Sequence, residues 1–177
     1  MRSRICTLLV ADATAEEFSP FGSLIDPQED QRSATEVLSK DGVFAYYPQD
    51  ESKMLNPGGE QLVCSPLEMC SRPRTVRGQM EYHHCHETLL FLDNVILVVG
   101  PQVPESGSMD GITPQDFAAF AVEKNCAVVL KPRTLHALAF PRSNRTARGL
   151  VFLPYQAHQT DCHFVDIPEG AILKPQL

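Results

Sequence analysis

Between Glu81 and Glu87 the chain reads Glu-Tyr-His-His-Cys-His-Glu, which puts three imidazoles, two carboxylates and a thiol within seven residues. A fourth imidazole, His136, comes later and closes the stretch Lys131-Pro-Arg-Thr-Leu-His136. Imidazole nitrogens and carboxylate oxygens are the donors of mononuclear transition-metal sites, and the same groups move protons at neutral pH. His83, His84, His86, Glu87 and His136 are therefore candidate ligands, a subset of which would hold one divalent ion such as Zn, Ni, Mn or Fe. Glu81 belongs to the same polar group. Cys85, flanked by histidines, is either an activated thiol or a small buried filler. His158 and His163 read as structural.

For these side chains to meet, strands must carry them to one place. Alternate residues of a strand share a face, so Glu81, His83, Cys85 and Glu87 would lie on one side and His84 and His86 on the other. Either Glu81, His83 and Glu87 point inward, or His84 and His86 do, and a turn or bulge would mix the two sets. Residues 88–92 and 95–99 are apolar runs joined by Asp93-Asn94, the pattern of a two-residue hairpin. Ala127–Leu130 is another apolar run leading to 131–136.

The rest of the chain has the same grain. Residues 5–10 read as a first strand and not as a signal peptide, because the apolar patch breaks at Asp12. Thr14-Ala-Glu-Glu17 is a capping-box pattern for a short helix that must end by Pro20. A short strand at 23–25 and a polar loop over 27–36 follow. Residues 43–47, introduced by Asp41-Gly42, then 61–69 and 75–80 read as strands. After a Pro- and Gly-rich loop over 100–113, Thr113-Pro-Gln-Asp starts a short helix or edge turn. The strands at 117–122, 137–140, 150–153 and 163–167 complete the series. About ten short strands with scarcely any helical periodicity predict an all-β barrel or jelly roll.

At 177 residues with 43% hydrophobic content, the chain can build one domain with its own core. No apolar run approaches the roughly 20 residues of a membrane span. Six cysteines without a C-x-x-C pair read as reduced thiols of a cytosolic protein. The net charge is −7 and is uneven: residues 1–130 carry 9 Lys and Arg against 19 Asp and Glu, and residues 131–177 carry 6 against 3. Such a balance argues against nucleic acid. Arg133, Arg142, Arg145 and Arg148 around His136 would suit a small anion or simply form a solvated face.

The order of segments resembles the cupin pattern: His83-x-x-x-Glu87, an apolar strand, a turn, a second strand, and later Pro132-x-x-x-His136. Glu81 stands where that pattern has its first His, and Thr134 where it has Gly. Within cupins the chain resembles the ureidoglycolate lyase family, also called ureidoglycolate hydrolases. The opening Ala15-Glu-Glu-Phe-Ser-Pro-Phe-Gly-Ser-Leu-Ile25 is similar to that family's first helix, aromatic-Gly turn and strand. Glu81-Tyr-His83 resembles its Glu-Arg-His, and Thr134-Leu-His136 its Val-Trp-His. Phe152-Leu153, Asp161-Cys162 and Ile167-Pro-Glu169 resemble its closing segment. This chain departs at Tyr82, Glu87 and Leu135, and in its additional His84 and His86.

The resemblance implies a single cupin-like jelly-roll β-barrel over residues 1–177 with one or two short peripheral helices. It also implies a cytoplasmic homodimer that splits ureidoglycolate into glyoxylate and urea, a carbon–nitrogen lyase step late in allantoin and purine degradation. On that chemistry His136 would be the base, with Glu87 or His83 as partner, and Arg133 would hold the substrate carboxylate in a two-point fork beside Glu81. The alternative from the additional histidines is a metal-dependent cupin of another class, an isomerase or dioxygenase acting on a small polar acid or sugar. A binding or regulatory cupin is a third reading, since fold alone never establishes catalysis.

Overall fold

Val95-Ile-Leu-Val-Val99 has no polar face, so a strand made of it has to be buried on both sides. In the computed structural model, which describes residues 4–40, 43–168 and 171–177, all five side chains are fully buried. Val95, Leu97 and Val99 face one apolar cluster, and Ile96 and Val98 face another. The strand they belong to, Val95–Gln102, sits near the middle of a nine-stranded sheet. Burying each such side chain stabilises the fold by about 1.5–3 kcal/mol. Asp41-Gly42, Glu169 and residues 1–3 lie outside the described residues.

The larger sheet runs His163–Asp166, Gln79–Tyr82, Thr134–His136, Val95–Gln102, Ala118–Val122, Arg4–Asp12, Ala171–Gln176 and Val76–Arg77, with Phe140–Pro141 also paired to Val95–Gln102. Gly78 alone separates Val76–Arg77, at one end of that order, from Gln79–Tyr82 near the other, and it turns with φ +76°. The sheet therefore curls round until its distant members meet, enclosing Leu8, Met80, Val98, Leu135 and Leu173. Arg4–Asp12 pairs in parallel with both Ala118–Val122 and Ala171–Gln176.

A smaller sheet, ordered Gly22–Ile25, Ala127–Leu130, Glu87–Phe91, Ala147–Pro154 and Leu62–Met69, covers the larger one. Phe18, Met69, Leu89, Phe91, Phe120 and Val128 fill the space between them. A separate two-stranded ribbon joins Leu38–Lys40 to Phe44–Tyr46. Among the described residues the longest helix has 7 residues, and none is long and apolar enough to cross a membrane. The architecture is an all-β jelly roll. All six cysteines are free thiols.

Several local expectations hold. Thr14 Oγ1 accepts from the Glu17 N–H at 3.2 Å and caps the helix Ala15–Phe18. Pro114 opens a short 3-10 turn, Pro114–Asp116. Others are corrected. The polar segment after residue 26 is a helix, Pro27–Ser33, because Asp26 Oδ1 accepts from Gln28 N–H and Glu29 N–H while proline fills the first helical position.

The expected hairpin at Asp93-Asn94 does not form. Glu87–Phe91 lies in the smaller sheet and Val95–Gln102 in the larger. A two-residue hairpin loop needs left-handed φ, and neither Asp93 nor Asn94 is among the non-glycine residues with positive φ. The pair turns a corner between sheets: Asp93 Oδ2 accepts from Arg148 N–H at 3.0 Å, and Asn94 Oδ1 from Lys124 N–H at 2.8 Å. The chain also holds a strand unforeseen in the sequence, Ala171–Gln176, beside the first.

Gly22 lies where Gly22–Ile25 pairs with Ala127–Leu130, and a Cβ there would stand 2.0 Å from the Val129 carbonyl oxygen. Backbone cannot yield as a flexible side chain does. Gly22→Ala should cost at least about 1–3 kcal/mol, the range for overpacked positions, read as a lower denaturant midpoint with an unchanged m-value.

Candidate active site between the two sheets

Antiparallel pairing sets His136 directly opposite Glu81, so both side chains leave the larger sheet on the same face. Glu87 opens a strand of the smaller sheet, and the alternation that sends Leu89 and Phe91 into the inter-sheet core sends Glu87 the same way. His83 comes from the bend that links these strands. The structure thus joins the odd set, Glu81, His83 and Glu87, to His136. His83, Glu87 and His136 are buried and Glu81 is half-buried.

Both buried imidazoles are aimed by the backbone. His83 Nδ1 donates to the Asp161 carbonyl at 2.5 Å and His136 Nδ1 to the Thr134 carbonyl at 3.0 Å. A carbonyl only accepts, so Nδ1 carries the proton in each ring and Nε2 is left to face the carboxylates. His83 Nε2 lies 3.5 Å from Glu81 Oε1 and 3.9 Å from Glu87 Oε2, and His136 Nε2 lies 2.9 Å from Glu87 Oε2. That last approach is off the line of a hydrogen bond, and Glu87 Oε2 is buried without a hydrogen-bond partner among the described residues. A cavity of about 130 Å³ opens beside the group, lined by Glu81, Glu87 and His136 together with Leu67, Leu89, Phe91, Leu138 and Val151.

Charge settles on this pair by mutual support. Burial alone would lower the His136 pKa, but the Glu87 charge and contact, then the Thr134 carbonyl and Glu81, raise it to about 9. Burial would push the Glu87 carboxyl up, and the cationic His136 with His83 brings it below the ordinary carboxylate range. At neutral pH the site holds an imidazolium against an ionised carboxylate. Glu81 is held from the other side by the Cys162 thiol, which donates to Oε1 at 2.7 Å. Burial first, and then Glu81, push that thiol up to about 12, so it stays a donor.

Glu81, His83 and His136 each offer one ligand atom, all within 4.8 Å of one another. Two imidazole nitrogens and a carboxylate oxygen would make a donor set suited to a divalent transition ion, and the unpartnered Glu87 oxygen adds negative charge beside it. The residues fit such an ion.

The other expected site residues lie elsewhere. His84 is exposed and points to Asp161, with Nδ1 at 2.8 Å from Oδ1. His86 is half-buried, its pKa lowered by burial, and belongs to neither group of clustered ligand atoms. Burial and the Asp161 carboxylate push the Cys85 thiol up to about 12, the opposite of activation. Arg133 pairs with Glu105 at 3.4 Å and does not line the cavity. Sequence reasoning gave no role to Asp161 or Cys162. Their only signal was the likeness of Asp161-Cys162 to a family's closing segment, because distant backbone carbonyls leave no trace in a motif.

Neither a protein-family model nor a curated sequence matches the chain. Among solved structures, the oxalate decarboxylase of Bacillus subtilis, a protein with Mn(II) centres, has TM-score 0.38 and 12% identity over 62% of this chain and 24% of its own. The chain thus spans about a quarter of that protein's length. EvdO2 from Micromonospora carbonacea var. aurantiaca has TM-score 0.38 and 15% identity over 90% of this chain and 97% of its own. No chemistry follows from likenesses this distant.

The ion pair has a signature in pH. The raised His136 pKa contributes stability that is complete below the ordinary imidazole value and lost as pH rises through about 9. In chelator-treated protein, NMR should show the His136 ring titrating near pH 9, and Glu87→Gln should bring it down towards or below 6.5. A ring that titrates identically in both proteins would remove Glu87 as the cause.

Proposed function

We propose that this cluster cleaves ureidoglycolate into glyoxylate and urea. The observation that carries the reading is the His136–Glu87 pair, an acid and a base 2.9 Å apart, at the wall of a small cavity. About 130 Å³ is small beside the 300–1,000 Å³ of drug-sized pockets and suits a compact polar acid.

In ureidoglycolate one carbon carries a hydroxyl, a carboxylate and a urea nitrogen. Cleavage moves the hydroxyl proton to Glu87 while the O–H electrons form the new C=O bond and the C–N bond breaks. The departing nitrogen takes the proton of His136 Nε2, and Glu87 then returns its proton to His136 across their short contact. These roles reverse the expectation of a neutral His136 base, because the pair holds that ring cationic. Glu81 borders the same space with His83 3.5 Å from it, and the two are held by the Cys162 thiol and the Asp161 carbonyl. Arg133 would have to exchange exposed Glu105 to reach a substrate carboxylate, and an exposed pair of this kind is worth less than about 1 kcal/mol.

A second reading, a metal-dependent cupin acting on a small polar acid or sugar, is favoured by the donor set of Glu81, His83 and His136. An ion bound there would supply Lewis acidity towards hydroxyl and carboxylate oxygens.

With racemic ureidoglycolate the protein should release urea and glyoxylate without ammonia. Glu87→Gln and His136→Ala should each lower kcat about 10²–10⁴-fold, the usual share of a positioned acid or base. Unchanged rates in both variants would sink the assignment. Loss of the activity in chelator, with recovery on adding one divalent ion per chain, would transfer it to the second reading.

A further inference from the structure

Outside the cavity, a second group of polar side chains meets at the surface. His84 Nδ1 lies 2.8 Å and His163 Nε2 3.1 Å from the same oxygen, Asp161 Oδ1. Their side chains are 48% and 38% exposed, and that of Asp161 19%, so an ion can enter and water can complete its shell. We propose that His84, Asp161 and His163 form a separate, solvent-facing site for a divalent transition-metal ion.

Three features favour an ion over a plain hydrogen-bonded cluster. First, Oδ1 is crowded: both rings approach it, and the His84 N–H, at 2.9 Å, is shared between it and Oδ2 at 3.0 Å. An ion relieves that crowding by taking a lone pair from each ring, whose protons shift to the opposite ring nitrogens. Second, the carboxylate is fixed before any ion arrives, because Oδ2 accepts from His84 N–H and Cys85 N–H, both at 3.0 Å. Third, the rings are oriented. His163 stacks on Tyr82 with centroids 5.2 Å apart, and the His84 ring meets His163 edge-on at 4.4 Å.

All the ligand atoms lie within 4.8 Å of one another. Burial would raise the Asp161 carboxyl, but the N–H groups of His84 and Cys85 and the His84 ring hold it at about 2, so the oxygen is ionised throughout the working range. Two imidazoles to one carboxylate select Zn, Ni, Co or Cu over Ca or Mg, which require oxygen ligands.

The site differs from the buried cluster in residues and in exposure, and it does not depend on the proposed reaction. Zinc bound per chain should be measured by equilibrium dialysis of tag-free, full-length protein. The same measurement is made on His84→Ala/His163→Ala, and on both proteins carrying His136→Ala as well. The unchanged protein should bind one zinc more than the double variant at equal free zinc, and the difference should persist with His136→Ala. His163→Gln alone should weaken that zinc by at least the roughly 10–100-fold that loss of a supporting partner costs a metal site, and it serves if the double variant misfolds. Cobalt should give visible d–d bands that the variants lose. Equal zinc in the unchanged protein and His84→Ala/His163→Ala, or cobalt bands indifferent to both rings, would overturn the site. A failed ureidoglycolate assay would bear only on the buried cluster.

Discussion

An ionised carboxylate taken out of water costs several kcal/mol unless positive charge faces it, and Glu87 is the group in this molecule on which that constraint falls hardest. It sits on a strand of the smaller sheet whose neighbours are apolar, so its counter-charge must come from the opposite wall. His136 supplies it from the larger sheet. The pairing fixes more than charge. It requires the two sheets to keep their register at this end, it needs the Thr134 carbonyl to turn the His136 ring, and it leaves a polar gap that apolar packing cannot fill.

The remaining groups follow the same rule of one inward and one outward contact. His83 gives Nδ1 to the Asp161 carbonyl and offers Nε2 inward. Glu81 receives the Cys162 thiol on Oε1 and faces His83 with the same oxygen. His83 and Glu81 are therefore held by the segment at 161–162, and His136 by a carbonyl of its own strand. A ring aimed by a backbone carbonyl cannot rotate without leaving that carbonyl unpaired in a partly dry site, which costs about 1–3 kcal/mol. The site is ordered before any ligand arrives, which is what positional catalysis requires.

How far this was legible in the sequence depends on the kind of signal. Strands made by local pattern were readable, Val95–Val99 among them, although its burial on both faces is a finding of the structure. Two of the three polar groups that line the cavity, Glu81 and Glu87, came from one seven-residue run whose composition was conspicuous. What alternation left open, a bend at 83–86 decided: the chain leaves the sheet after Tyr82, so His84 and His86 escape the interior without a strict period of two. The supposed hairpin failed because two apolar runs and a polar turn look alike whether the strands pair or part. The φ angles at Asp93 and Asn94 distinguish the cases, and those are set by Arg148 and Lys124 from far along the chain. Pro27–Ser33 was missed for a different reason. Its cap, Asp26-Pro27, was present in the sequence, but a polar segment without an apolar stripe reads as loop.

Asp161 shows why a residue without a motif can organise a site. Its carbonyl holds a buried ring and its carboxylate gathers two exposed rings and two backbone N–H groups. The two contacts are chemically independent, since the carbonyl survives any substitution of the side chain. They are mechanically linked, because the carboxylate ties residues 84 and 85 to the point from which the carbonyl reaches His83. The solvent-facing cluster and the buried one therefore meet at one residue, Asp161, through its carboxylate on one side and its carbonyl on the other.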